Sequence, residues 1–144
     1  MHTKEFSISQ ALDEHKMRKT PVRLAVLSHF KKMGHSLSQP DIEDEFRKEF
    51  DRVTIYRTLH AFIETGLIHK VPSEDGVTRY GLCLHSHSHK APHKHEHIHF
   101  LCLACDKTIC IETDLVPDIH LPEGYTSQEV SLFVKGICKE CGRA

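Results

Sequence analysis

The stretch DRVTIYRTLHAFIETGLIHKVPSEDGVTRYGL, residues 51–82, changes its period half-way. In its first part Val53, Tyr56, Leu59, Phe62 and Ile63 recur at the spacing of one helix face, and Gly66 closes the run. After Gly66 two short segments rich in β-formers, LIHKVP and VTRYGL, flank SEDG, a turn sequence. A helix running straight into a hairpin is the end of a winged helix-turn-helix if further helices precede it. They do. Ile8, Ala11, Leu12 and His15 keep helical spacing. Thr20-Pro21 reads as an N-cap followed by proline in the first turn, opening VRLAVLSHFKKMG, with Leu24, Leu27 and Phe30 on one face and Gly34 as the stop. Ser38-Gln-Pro-Asp caps a third helix, DIEDEFRKEF.

Beyond residue 82 the chemistry shifts to imidazoles and thiols. Half of the chain's 14 histidines fall in HSHSHKAPHKHEHIH, residues 85–99, and Cys102-Leu-Ala-Cys105 follows. Residues 83–95 lack periodicity and read as a linker. HIHFLCL and TICIE alternate as strands around the turn Ala-Cys-Asp-Lys, and SQEVSLFVK alternates again with Val130, Leu132 and Val134 on one face. Leu115–His120 is expected to form a short helical segment interrupted by Pro117. The fold class is therefore α+β: a winged-helix domain over 1–82, a His-rich hinge over 83–95, and a small α/β domain over 96–144. A domain that small needs a metal or a partner chain to complete its core.

Two Cys-x-x-Cys pairs, Cys102/Cys105 and Cys138/Cys141, each present two thiolates from a tight turn, and two pairs complete a tetrahedral Cys₄ zinc site. The other reading of these cysteines is a redox pair or free buried thiols. His97 and His99 share a strand face and can reach one ion. The chain is 39% hydrophobic and 27% charged with a net charge of −1. DNA binding must then come from a local patch and not from bulk charge. No apolar run approaches the ~18 residues of a membrane span, and the N-terminus has no signal-peptide pattern, so the expected place is the cytoplasm with no membrane partner.

The helix DRVTIYRTLHAFIETGLI, the run HEHIHFLCLACDKTICI and the C-terminal Cys-x-x-Cys together resemble the Fur family of metal-dependent repressors, over about Ala11 to Cys141. The resemblance implies a homodimer on double-stranded operator DNA, with structural zinc at Cys102, Cys105, Cys138 and Cys141 and a regulatory metal. It implies base and backbone contacts from Tyr56 and Arg57, with Arg18 and Lys19 touching the backbone or minor groove. Against this, Tyr56 sits at a spacing that also suits a core residue, and Arg57 also reads as a solvated charge.

The departures from the family pattern point to its zinc-sensing branch (Zur). Iron- and peroxide-sensing members carry a histidine where this chain aligns Ser36, beside His35, and an acidic residue where it has Gly81. Zinc-sensing members draw ligands from the wing and the next strand, which here implies His69, Cys83, His97 and His99. Cys110 stands where relatives carry an acidic ligand; it, Glu112 and His95 are alternates. His₃Cys suits zinc, whereas a thiolate in an iron sensor invites oxidation. The expected function is a repressor of zinc-uptake genes, with nickel, iron or manganese as alternative regulatory metals. Histidines 85, 87, 89 and 93 read as a metal-capturing loop or a solvated linker. A metallochaperone has no use for a winged helix. A zinc hydrolase needs an open coordination position and a general acid or base, and no HExxH or nucleophile motif is present.

Overall fold

The computed structural model describes residues 7–71, 73–82, 97–112, 118–128, 130 and 132–143. The chain divides into two compact units, Met1–Ser86 and His87–Ala144. Among the described residues no helix is long and apolar enough to cross a membrane.

In the first unit the helices begin and end where local chemistry demands. α1 (Ile8–Glu14) is capped by Ser7, and α2 (Pro21–Met33) by Thr20, whose hydroxyl accepts from the Arg23 N–H; α2 ends at Gly34 in the left-handed region. A two-residue strand β1 (Leu37–Ser38) leads into α3 (Gln39–Glu45), where Ser38 and Asp41 form a reciprocal capping box. α4 (Arg52–Thr65) starts at Asp51, whose carboxylate accepts from the Thr54 N–H at 2.7 Å. That hydrogen bond is the chief reason the Asp51 carboxyl is held below its ordinary pKa. β2 (Ile68–Val71) and β3 (Arg79–Leu82) form the wing hairpin, and β1 adds to its far edge in the order β1-β3-β2, all antiparallel.

One core unites these elements. Leu12, Val26, Leu27, Phe30, Ile42, Ile55, Leu59, Phe62, Leu67 and Ile68 are all buried within it. Gly66 ends α4 at φ +81 and donates to the carbonyls of Ile63 and Phe62. No atom lies within 4 Å of a Cβ placed there, so the demand for glycine is purely conformational. Gly66→Ala is expected to cost about 1 kcal/mol, the penalty of the left-handed region for an L-residue, readable as a shift in the denaturant midpoint.

Three expectations change here. α3 stops at Glu45, not Phe50, because Phe46 turns inward and packs against His29 and Phe50, with ring centroids 5.6 and 6.0 Å away. β1 was not anticipated. The buried stripe of α4 is Ile55, Thr58, Leu59 and Phe62, so Val53 and Tyr56 face outward, 57% and 55% exposed.

The second unit contains one sheet, in the order β5-β4-β6, built from β4 (His97–Cys102), β5 (Thr108–Glu112) and β6 (Leu132–Gly136). β4 and β5 are antiparallel; β6 runs parallel to β4. A Cβ at position 136 would come 3.2 Å from the Phe100 ring, so glycine lets β6 lie close to β4 there. Of the described residues in this unit, only His99, Cys102 and Thr108 are buried. Phe100, Leu101, Ile109, Leu132 and Phe133 are only half-buried, so the described sheet has no closed apolar core of its own. Of the expected Leu115–His120 helix, residues 115–117 lie outside the described residues, and Asp118–His120 form no helix.

Candidate metal centre and the outward face of α4

The parallel pairing of β4 and β6 explains how two Cys-x-x-Cys pairs far apart in sequence meet. Parallel strands finish at the same end of the sheet, and Cys102 is in register with Gly136, two residues before Cys138. The first pair sits on the β4–β5 turn. There the Asp106 N–H donates to the Cys102 carbonyl at 2.9 Å, and Asp106 takes the left-handed φ of +59. The second pair follows β6 and enters a 3₁₀ turn, Cys141–Arg143, with the Gly142 N–H on the Cys138 carbonyl at 2.8 Å.

The sulfurs of Cys102, Cys105, Cys138 and Cys141 all lie within 4.8 Å of one another. Cys105 and Cys138 are 3.9 Å apart. Four thiolates bound to zinc at about 2.3 Å would sit about 3.8 Å apart along each tetrahedral edge. The cysteines are free and not disulfide-bonded. The Cys138 N–H donates to Cys102 Sγ at 3.3 Å, and this is the largest reason the Cys102 thiol is pulled down to about 6. Hydrogen bonding to the Cys138 and Cys105 sulfurs, reinforced by burial, pushes Cys141 up to about 12. The Cys102 thiolate therefore forms readily while Cys105 and Cys141 resist ionising, a balance that a bound dication would reverse by neutralising the accumulated charge. The donor set and spacing fit structural zinc.

A second group of ligand-type residues lies on one face of the same sheet. The β4–β5 register sets His97 opposite Glu112 and His99 opposite Cys110, and alternation places all four positions on one face. His99 is 4% exposed, and its Nδ1 lies 3.5 Å from Cys110 Sγ. The structure thus joins Cys110, an alternate in the sequence reading, to His99. In the first unit His69 is half-buried on β2, directly across from Gly81, which offers no side-chain ligand. Cys83 and His95 lie outside the described residues.

The outward face of α4 presents Tyr56 and Arg57, so the core reading of Tyr56 does not hold, while the exposure of Arg57 suits a solvated charge as well as a DNA contact. Sequence reasoning left Arg52, Val53 and His60 out of this face, although 53, 56, 57 and 60 follow helical spacing; Val53 had been placed with the core. Arg18 and Lys19 are exposed just before α2. Lys19 Nζ already pairs with Asp13 at 3.0 Å, which weakens it as a phosphate contact. In the wing, Arg79 makes a two-pronged pair with Asp75 at 2.8 and 3.0 Å and holds that carboxyl well below its usual range.

Comparison with known proteins supplies the family. The model of the ferric uptake regulator family matches residues 14–134. The ferric uptake regulation protein of Synechococcus elongatus is 30% identical over 148 residues, spanning 96% of this chain and 95% of that protein. The peroxide-responsive repressor PerR of Staphylococcus aureus is 24% identical over 147 residues, 97% and 92% of the two chains. Among solved structures, a zinc uptake regulator complexed with zinc and DNA superposes with a TM-score of 0.69 at 24% identity, over 94% of this chain and 90% of that one, which shows a shared fold. The chain belongs to the ferric uptake regulator family and is a metal-responsive transcription regulator, not an enzyme.

Proposed function

We propose that this chain is a zinc-responsive homodimeric repressor that binds double-stranded operator DNA and silences zinc-uptake genes. In this reading residues 1–82 bind DNA, 83–95 are the hinge and 96–144 dimerise. Structural zinc is held by Cys102, Cys105, Cys138 and Cys141. The regulatory ion is held by His69, Cys83, His97 and His99, with Cys110, Glu112 and His95 as alternates. Tyr56 and Arg57 contact the operator, assisted by Arg18 and Lys19. Dimerisation would cover Ile111 and Val134, apolar side chains that are exposed on the sheet face opposite the histidines.

The observation that carries the zinc reading is Cys110 Sγ beside His99 Nδ1 at 3.5 Å. A nitrogen and a thiolate together favour zinc, and Gly81 across from His69 adds no oxygen ligand of the kind iron prefers. Iron or peroxide response is the alternative, favoured by the names of the two sequence relatives. Metal binding acts as a population shift: it raises DNA affinity only by as much as the ion prefers the DNA-competent form.

Fluorescence anisotropy on the protein's own promoter DNA tests this, with free Zn²⁺, Ni²⁺, Fe²⁺ and Mn²⁺ each buffered over a wide range. Zinc is expected to trigger binding at the lowest free concentration. Triggering by iron or nickel at lower free metal would overturn the zinc assignment. Sedimentation in the same buffer is expected to give a dimer.

A further inference from the structure

The outer face of α4 carries a pair that neither the core nor the metal chemistry uses. His60 Nε2 lies 3.1 Å from Glu64 Oε1, one helical turn on, and both side chains are exposed, at 59% and 68%. The His60 ring also lies nearly parallel to that of Tyr56, one turn back, with centroids 6.2 Å apart and planes 11° off parallel. An exposed pair at this spacing adds little to helix stability. Its position matters more. Val53, Tyr56, Arg57 and His60 occupy the side of α4 opposite Ile55, Leu59 and Phe62.

We infer that His60 reads a base: Glu64 fixes its Nε2–H, leaving Nδ1 as an acceptor for the exocyclic amino group of adenine or cytosine in the major groove. The inference rests on the DNA-binding reading of α4. A carboxylate only accepts hydrogen bonds, so Nε2 carries the proton in this pair, and in the neutral form of the ring the lone pair stands on Nδ1. The ring contact with Tyr56 restricts how the imidazole can turn. In the major groove, adenine N6 and cytosine N4 present donors, whereas guanine and thymine present O6, N7 and O4 acceptors that Nδ1 would repel. Four residues of helix rise carry His60 about 6 Å beyond Tyr56, close to two base-pair steps, so the two side chains meet different base pairs. Val53, exposed and apolar one turn before Tyr56, suits a thymine methyl.

Selection from a pool of duplexes with a randomised centre, using the full-length zinc-supplied protein, tests this. The wild-type protein is expected to enrich sites with adenine or cytosine at one defined base pair per half-site. His60→Ala should keep the remaining preferences, lose that one, and bind the wild-type site about three- to tenfold more weakly, the worth of one net hydrogen bond. His60→Arg should move the preference to guanine. Glu64→Gln, whose amide can donate or accept, should flatten it. Circular dichroism of each variant should match the wild type. If His60→Ala selects the same site with unchanged affinity, His60 reads no base and the inference is wrong. If that variant loses every preference together, His60 acts by holding Tyr56, and the inference is equally overturned. If the wild-type protein enriches no sequence, the DNA-binding reading itself fails and this inference falls with it.

Discussion

Cys102→Ser is expected to release one tightly held zinc per chain and to unfold the second unit while the first still melts cooperatively. Cys102 is 1% exposed, accepts the Cys138 N–H through its sulfur, and sits where β4 enters the turn carrying Cys105. Losing it removes one of four ligands and the link between the β4–β5 turn and the end of β6. The described part of this unit fully buries few apolar side chains, so metal binding at the four cysteines is expected to supply much of its folding free energy. Structural zinc is worth about 10–16 kcal/mol in small zinc domains, more than a whole typical domain's net stability of about 5–15 kcal/mol. The first unit keeps its own core around Phe30, Leu59 and Phe62. Metal content by mass spectrometry and amide exchange would check this. Retained metal, or slow exchange persisting across residues 97–112 in the variant, would contradict the assignment.

His99→Ala should have the opposite profile: an intact dimer and structural zinc, but DNA affinity that no longer responds to added metal. Allosteric couplings of this kind amount to about 5- to 150-fold in affinity, and that whole gain is expected to vanish. Cys110→Ser is the companion test. Cys110 lies beside His99 and is free of the Cys₄ cluster, so its loss should weaken zinc triggering more than manganese triggering, because serine replaces a soft ligand with a hard one. Anisotropy titrations against buffered metal read both variants. Unchanged zinc dependence in His99→Ala would remove His99 from the regulatory set.

The features legible in the sequence were those governed by local chemistry. Thr20 with Pro21, Gly34, the Ser38 capping box and Gly66 each satisfy or end a helix through groups within four residues, so their roles appear without tertiary context. The thiol pairs were legible for a related reason: Cys-x-x-Cys is a complete chelating unit in itself, and two of them imply a shared ion. β1 left no such signal. Two residues, Leu37 and Ser38, are a strand only because Tyr80 and Arg79 pair with them, and no periodicity can show over so short a run.

Sequence alone therefore determined the order of the four helices, the winged-helix hairpin after them and the four thiols as one donor set. Only the tertiary structure decided which side of α4 faces out, because helical spacing fits two stripes about equally and burial of Ile55 rather than Val53 breaks the tie. The same holds for the sheet. Parallel pairing of β6 with β4 brings the two thiol pairs to one end of the sheet, and the β4–β5 register sets Cys110 against His99. The first depends on contacts between residues distant in the chain, which connectivity leaves open and packing selects; the second depends on how the turn after Cys102 closes, where the Cys102 N–H donates to the Lys107 carbonyl at 3.0 Å.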